Sequence, residues 1–135
     1  MRSVEDICRD VVTGLEGAVA FGVIDLPTGT LLASHEDPGA PRGLGKTAAF
    51  VLADLLCGPH VTRLEQLARA RLAGASAPGP MFHELHVTSE NTHHFSKRIK
   101  GGRAAVVLVT RKTTSIGMAW AQLKSAIPRV EALLP

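Results

Sequence analysis

The sequence predicts one α/β domain, with helices and strands in the order αββα(α)βββα. Three observations carry this. Residues 18–26 (AVAFGVIDL) and 104–110 (AAVVLVT) are almost continuously apolar and short, as strands buried on both faces are. Apolar residues recur at helical spacing at both ends of the chain. Residues 81–88 and 92–99 alternate in polarity around Ser89-Glu90-Asn91, which reads as a hairpin.

Residues 3–15 form the first expected helix, with Val4, Ile7, Cys8, Val11, Val12 and Leu15 on one stripe. Ser3 is its N-cap, Asp6 completes an imperfect capping box, and Glu5 and Arg9 are spaced for an i, i+4 pair. Pro27-Thr28-Gly29 turns the chain from the first apolar strand into a second strand at residues 30–34. Residues 35–45 read as a loop.

Residues 46–57 read as a helix with two apolar stripes. One holds Leu44, Ala48, Val51, Leu52 and Leu55; the other holds Phe50, Ala53 and Cys57, interrupted by Lys46, Thr47 and Asp54. A single sheet covers one side of a helix, so the second side asks for another chain or for the next helix. After Gly58-Pro59, helical spacing resumes over residues 62–72, with Val61, Leu64, Leu67, Ala68 and Leu72 expected inward. Residues 74–80 (GASAPGP) read as a short link, and 100–103 as a turn. Residues 113–115 offer N-caps to a last helix with a stripe of Ile116, Ala119, Trp120, Leu123, Ile127, Val130 and Leu134; Pro128 is expected to kink or restart it.

Composition bounds the function. The 135 residues are 45% hydrophobic and 20% charged, which suits one globular domain over residues 1–135 that needs no disulfide or metal to fold. Cys8 and Cys57 are far apart and form no paired motif, which suits a reducing cytoplasm. Charges every few residues at the N-terminus exclude a secretory core, and no apolar run approaches the roughly 18 residues of a membrane span. A soluble, cytoplasmic protein without membrane insertion is expected. A net charge of +3 is too mild to indicate nucleic acid, and aromatic residues for base stacking make up only 4%.

Four groupings could carry chemistry. Residues 40–47 (APRGLGKT) fit a relaxed phosphate-loop pattern, with Lys46 for the β- and γ-phosphates and Thr47 for magnesium. The first glycine is missing, the preceding strand ends about five residues early for a strand–loop–helix unit, and no later strand ends in a suitable Asp. His83, His86, His93 and His94 crowd one hairpin, but strand alternation sends 83 and 86, and also 93 and 94, to opposite faces. At best one histidine from each strand meets across the hairpin, with Glu84 on the face of His86, so no metal site is expected. Lys97, Arg98, Lys100 and Arg103 read as a solvated basic tip suited to an acidic protein surface. No nucleophile elbow exists, and Cys8 has no positioned partner, so no catalytic residue is assigned.

Two segments resemble the Roadblock (dynein light-chain) family. Gly22 to Ala33 (GVIDLPTGTLLA) is similar to its pattern of apolar strand, acidic residue, two spacers, glycine and apolar strand. Val107-Leu108-Val109-Thr110 followed by Ser115-Ile116-Gly117-Met118-Ala119 resembles its last strand and helix start. The long residues 35–45 and the helical region divided by Pro59 depart from the family pattern.

The resemblance spans nearly the whole chain. It implies a profilin-like α+β sandwich: a five-stranded antiparallel sheet with helices on both faces. It also implies a dimer, homodimeric or heterodimeric, paired through the second helix and the middle strand edge. Here the interface residues would be Lys46, Thr47, Phe50, Ala53, Asp54 and Cys57, with Phe82, Glu84 and His86 on the strand. Bacterial members often partner Ras-like small GTPases without supplying catalytic residues, so the expected function is a non-catalytic scaffold or regulator of such a GTPase or a signalling complex, with no cofactor. The competing readings are a small nucleotide-binding enzyme using Lys46 and Thr47, and a ligand sensor, for which no convergent polar set is visible.

Overall fold

The structure, a computed structural model, describes residues 2–68, 70 and 82–135. Its elements are α1 (Val4–Thr13), β1 (Ala18–Asp25), β2 (Thr30–Glu36), α2 (Leu44–Cys57), α3 (Pro59–Ala68), β3 (Glu84–Thr88), β4 (Thr92–Ile99), β5 (Ala104–Arg111) and α4 (Ile116–Leu133). The strands make one five-stranded antiparallel sheet in the order β2-β1-β5-β4-β3. Helices α1 and α4 cover one face and α2 the other.

The two apolar runs are β5, the central strand, and β1, its interior neighbour. Phe21, Val23, Val106 and Leu108 face α1 and α4, while Ala20, Ile24, Ala105, Val107 and Val109 face α2. Both faces are therefore dry, which removes the polar–apolar alternation of a half-exposed strand. The hydroxyl of Ser96, buried in β4, donates to Val106 O at 3.0 Å.

The capping box of α1 forms. Ser3 Oγ accepts from Asp6 N at 3.2 Å, and Asp6 Oδ2 accepts from Ser3 N at 2.9 Å. Ile7, Cys8, Val11 and Val12 face the sheet. Arg9 pairs with Asp6 at 2.9 Å and not with Glu5 as expected, because the capping box already holds the Asp6 carboxylate over the first turn. In α4, Ser115 is the cap and Ala119, Leu123, Ala126 and Val130 are buried, with Trp120, Ile127 and Leu134 packed at the margin. Pro128 does not restart the helix: α4 is continuous from Ile116 to Leu133. Lys124 and Pro128 both lie on its exposed side, where water satisfies a carbonyl left without its amide.

Two further expectations change. Strand β2 takes in His35 and Glu36, so the loop before α2 is shorter. Helix α3 is turned over: Glu65 is buried at 8% exposure, while Leu64 and Leu67, expected inward, are half exposed. Strand β3 begins at Glu84; Leu72, the 74–80 link and Met81 lie outside the described residues. Among the described residues, no helix is long and apolar enough to cross a membrane.

Candidate protein-interaction site

Helix α2 sits close on the sheet because its inner row is small. Gly45, Ala48, Ala49 and Ala53 are buried with Leu52 and Leu56. At Gly45 a Cβ would stand 2.9 Å from the Ala20 Cβ, closer than carbon atoms pack. The helix starts at Gly43, whose φ of 83° is a left-handed conformation that glycine adopts freely. It ends at Gly58, before Pro59.

With small residues inward, the large ones are left outside. Phe50, Val51 and Leu55 are 38%, 53% and 42% exposed. The two stripes thus divide differently from expectation: Val51 and Leu55 join Phe50 outside, while Ala53 turns inward. Lys46, Thr47 and Asp54 are exposed on the same side. Ala53 is 8% exposed, packed toward Ile24 and Leu26, and Cys57 is half-buried with its thiol on Ala53 O at 3.2 Å. Helix α3 leaves this side open: Val51 and Leu55 line a groove with Pro59, His60 and Val61.

Strand β3 closes the sheet on this side, and its outer edge has no neighbour among the described residues. The bonds from Arg98 N to His83 O and from Ser89 N to Thr92 O set which backbone groups face β4. By the antiparallel alternation, Glu84, His86 and Thr88 turn their N–H and C=O groups to the free edge. Val87 lines an apolar groove of about 270 Å³ with Leu44, Ala48, Val51 and Leu55. Phe82 and Leu85 pack against the core under α2. Glu84 and His86 project to the opposite face of the sheet. Glu84 pairs there with Lys97 at 3.1 Å and Lys124 at 3.3 Å, and His86 stacks on Phe95 at 4.6 Å. The hydrogen bonds from Lys97 first, and then from Lys124, hold the Glu84 carboxyl below its ordinary range.

No family model matches the sequence, and no curated protein does. Solved structures match the fold. A Roadblock/LC7 domain from Streptomyces avermitilis aligns with TM-score 0.65 at 13% identity, over 97% of this chain and 97% of that one. The gliding protein MglB from Thermus thermophilus gives 0.69 at 22% identity, over 95% and 85%. An MglB with a tetrameric arrangement gives 0.70 at 22% identity, over 95% and 85%. The chain has the Roadblock fold.

Within the Roadblock fold the remaining groupings resolve into structure. In the 40–47 segment a side chain already occupies the helix start. Glu36 Oε1 accepts the Gly45 N–H at 3.0 Å, so a fixed carboxylate takes an amide at the helix start, while Lys46 and Thr47 point to solvent. The basic tip is solvated only in part: Arg103 is exposed, whereas Arg98 is drawn into the fold. Arg98 donates through Nε to Phe82 O at 2.8 Å, through Nη1 to Gly102 O at 2.9 Å and through Nη2 to Leu56 O at 2.8 Å. Lys97 is engaged by Glu84.

Of the histidines, His86 and His93 meet across the hairpin at 3.1 Å, Nε2 to Nδ1. His94 lies on the other face, its ring nitrogen 2.8 Å from Thr92 Oγ1. Burial, then His93 and then Lys112, hold the His86 imidazole below its usual range; burial followed by His93 does the same for His94.

Sequence reasoning missed Val51, Leu55 and Val87. The available signal was side-chain volume: the Gly45-Ala48-Ala49-Ala53 row marks the face that lies against a sheet.

Proposed function

We propose that this chain is a non-catalytic assembly module. Two copies pair through the outer side of α2 and the free edge of β3, and the pair serves as adaptor or regulator for a Ras-like small GTPase or a signalling complex. One observation carries the reading: Phe50, Val51 and Leu55 stand in water beside a strand edge that has no neighbour among the described residues. An apolar helix face next to open backbone donors and acceptors is an interface left uncovered. Three side chains alone fall short of the roughly 800 Å² per partner of a stable interface; pairing β3 with a second β3 extends the contact along the sheet.

The GTPase part rests on the resemblance of the 22–33 and 107–119 segments and on likeness to structures named MglB, one of them a gliding protein.

Cross-linking tests the pairing. In a Cys57→Ser background, Val51→Cys is expected to form an intermolecular disulfide on mild oxidation, and Ser125→Cys, on the exposed side of α4, is not. Equal cross-linking of both variants would overturn the interface. Titration with a Ras-like GTPase of the same cell, loaded with GDP or a GTP analogue, tests the partner. Nucleotide-dependent binding is expected, and no binding of either form would remove that part of the reading.

A further inference from the structure

The His86–His93 pair is more organised than a surface hydrogen bond requires. His93 is 5% exposed. Its Nε2 lies 3.2 Å from Lys112 O, and because a carbonyl only accepts, this nitrogen carries the hydrogen. In the neutral ring the lone pair is then on Nδ1, aimed at His86 Nε2. An imidazole whose far N–H is tied to a backbone carbonyl is the usual arrangement of a metal-ligating histidine. Phe95 lies flat under the His86 ring, 3° from parallel, and holds it in place. The separation of the two nitrogens, 3.1 Å, approaches the roughly 3.3 Å between two ligands of one tetrahedral ion with bonds of about 2.05 Å.

We propose that His86 and His93 form a divalent transition-metal site, suited to a borderline-soft ion such as Zn²⁺, at the free edge of β3. His93 Nδ1 is already presented. His86 moves its proton from Nε2 to Nδ1, and the ion takes the place of the shared hydrogen. Among the described residues no three metal-ligating side chains gather, so one chain supplies two ligands. Water completes the tetrahedral shell. The nearest cations are engaged elsewhere: Lys112 Nζ donates to Ser89 O and Lys124 Nζ pairs with Glu84. An ion held there clasps β3 to β4 within one chain.

Zn²⁺ titration by calorimetry, with Co²⁺ absorption as a second readout, tests the site on the full chain. Removing even an outer-shell partner of a metal typically costs 10–100-fold in affinity, so His86→Gln and His93→Gln are each expected to weaken binding at least about tenfold. His86 is exposed, so its variant folds even if His93→Gln does not. His94→Gln, on the opposite face, is expected to bind as the parent does. Binding that is absent in the parent, or equal in His86→Gln, overturns the site whatever the oligomeric state.

Discussion

Arg98 Nη2 donates to Leu56 O at 2.8 Å, fixing the last turn of α2 to the far end of β4. The same guanidinium holds Phe82 O and Gly102 O, so one side chain sets where α2 ends, how β3 is approached and how the 100–103 turn closes. Hydrogen bonds from a charged donor contribute about 1.5–3 kcal/mol each, and carbonyls left unmatched add their desolvation. Arg98→Met is expected to lower unfolding stability by about 3 kcal/mol in urea titration, with Arg98→Lys recovering only part of it, because an ammonium cannot span the three carbonyls. A loss below about 0.5 kcal/mol would place Arg98 among ordinary surface residues.

Glu36 meets the first turn of α2 at Gly45 N, and this decides how the phosphate-loop-like segment behaves. A fixed carboxylate at a helix N-terminus satisfies an amide and repels a phosphate. ATP and GTP with magnesium are expected to give no calorimetric signal at millimolar concentration, and Lys46→Ala to leave the chain's stability unchanged. Glu36→Ala is expected to cost about 1 kcal/mol. Submicromolar nucleotide binding, lost in Lys46→Ala, would reverse the assignment.

Cys8 is completely buried on α1, and desolvation first, with Glu5 second, pushes its thiol from an ordinary value near 9 up to about 12. The folded state therefore prefers the neutral thiol. This contribution is fully present below pH 9 and is lost as pH rises from about 9 toward 12, where the unfolded chain ionises and the folded one does not. Stability of the parent is expected to fall across that window more steeply than that of Cys8→Ala. In the native protein iodoacetamide is expected to modify half-exposed Cys57 and spare Cys8. Modification of both at equal rates would show that α1 does not seal the core.

Much of the fold was legible because burial on two faces leaves a mark on composition. β1 and β5 could be read from their apolar runs alone, and α1 from Ser3, Asp6 and one clean stripe. The site was legible only in outline. Alanine is apolar like valine and leucine, so spacing alone sets Ala53 beside Phe50, although it lies beneath the helix in a small inner row opposite a large outer one. Ala53→Asp would for that reason unfold the chain before it could report on an interface. In α3 the leucines suggested an inward face, but Glu65 is buried and Leu64 and Leu67 are not; spacing alone does not say which side a neighbour covers. Arg98 looked like part of a charged tip because three carbonyls from distant segments leave no local pattern. The His86–His93 contact was allowed by strand parity, whereas its tautomer depends on Lys112 O, nineteen residues away along the chain.

The pairing of two copies through the outer side of α2 is tested most directly by light scattering on the purified chain at micromolar concentration, run beside Phe50→Asp/Val51→Asp. Each Asp would bury an unpaired charge in a pair but sits in water in a single chain. The expected result is twice the one-chain mass for the parent and one-chain mass for the variant, with unchanged circular dichroism. A parent that scatters as one chain, or a variant that stays paired, would contradict the account.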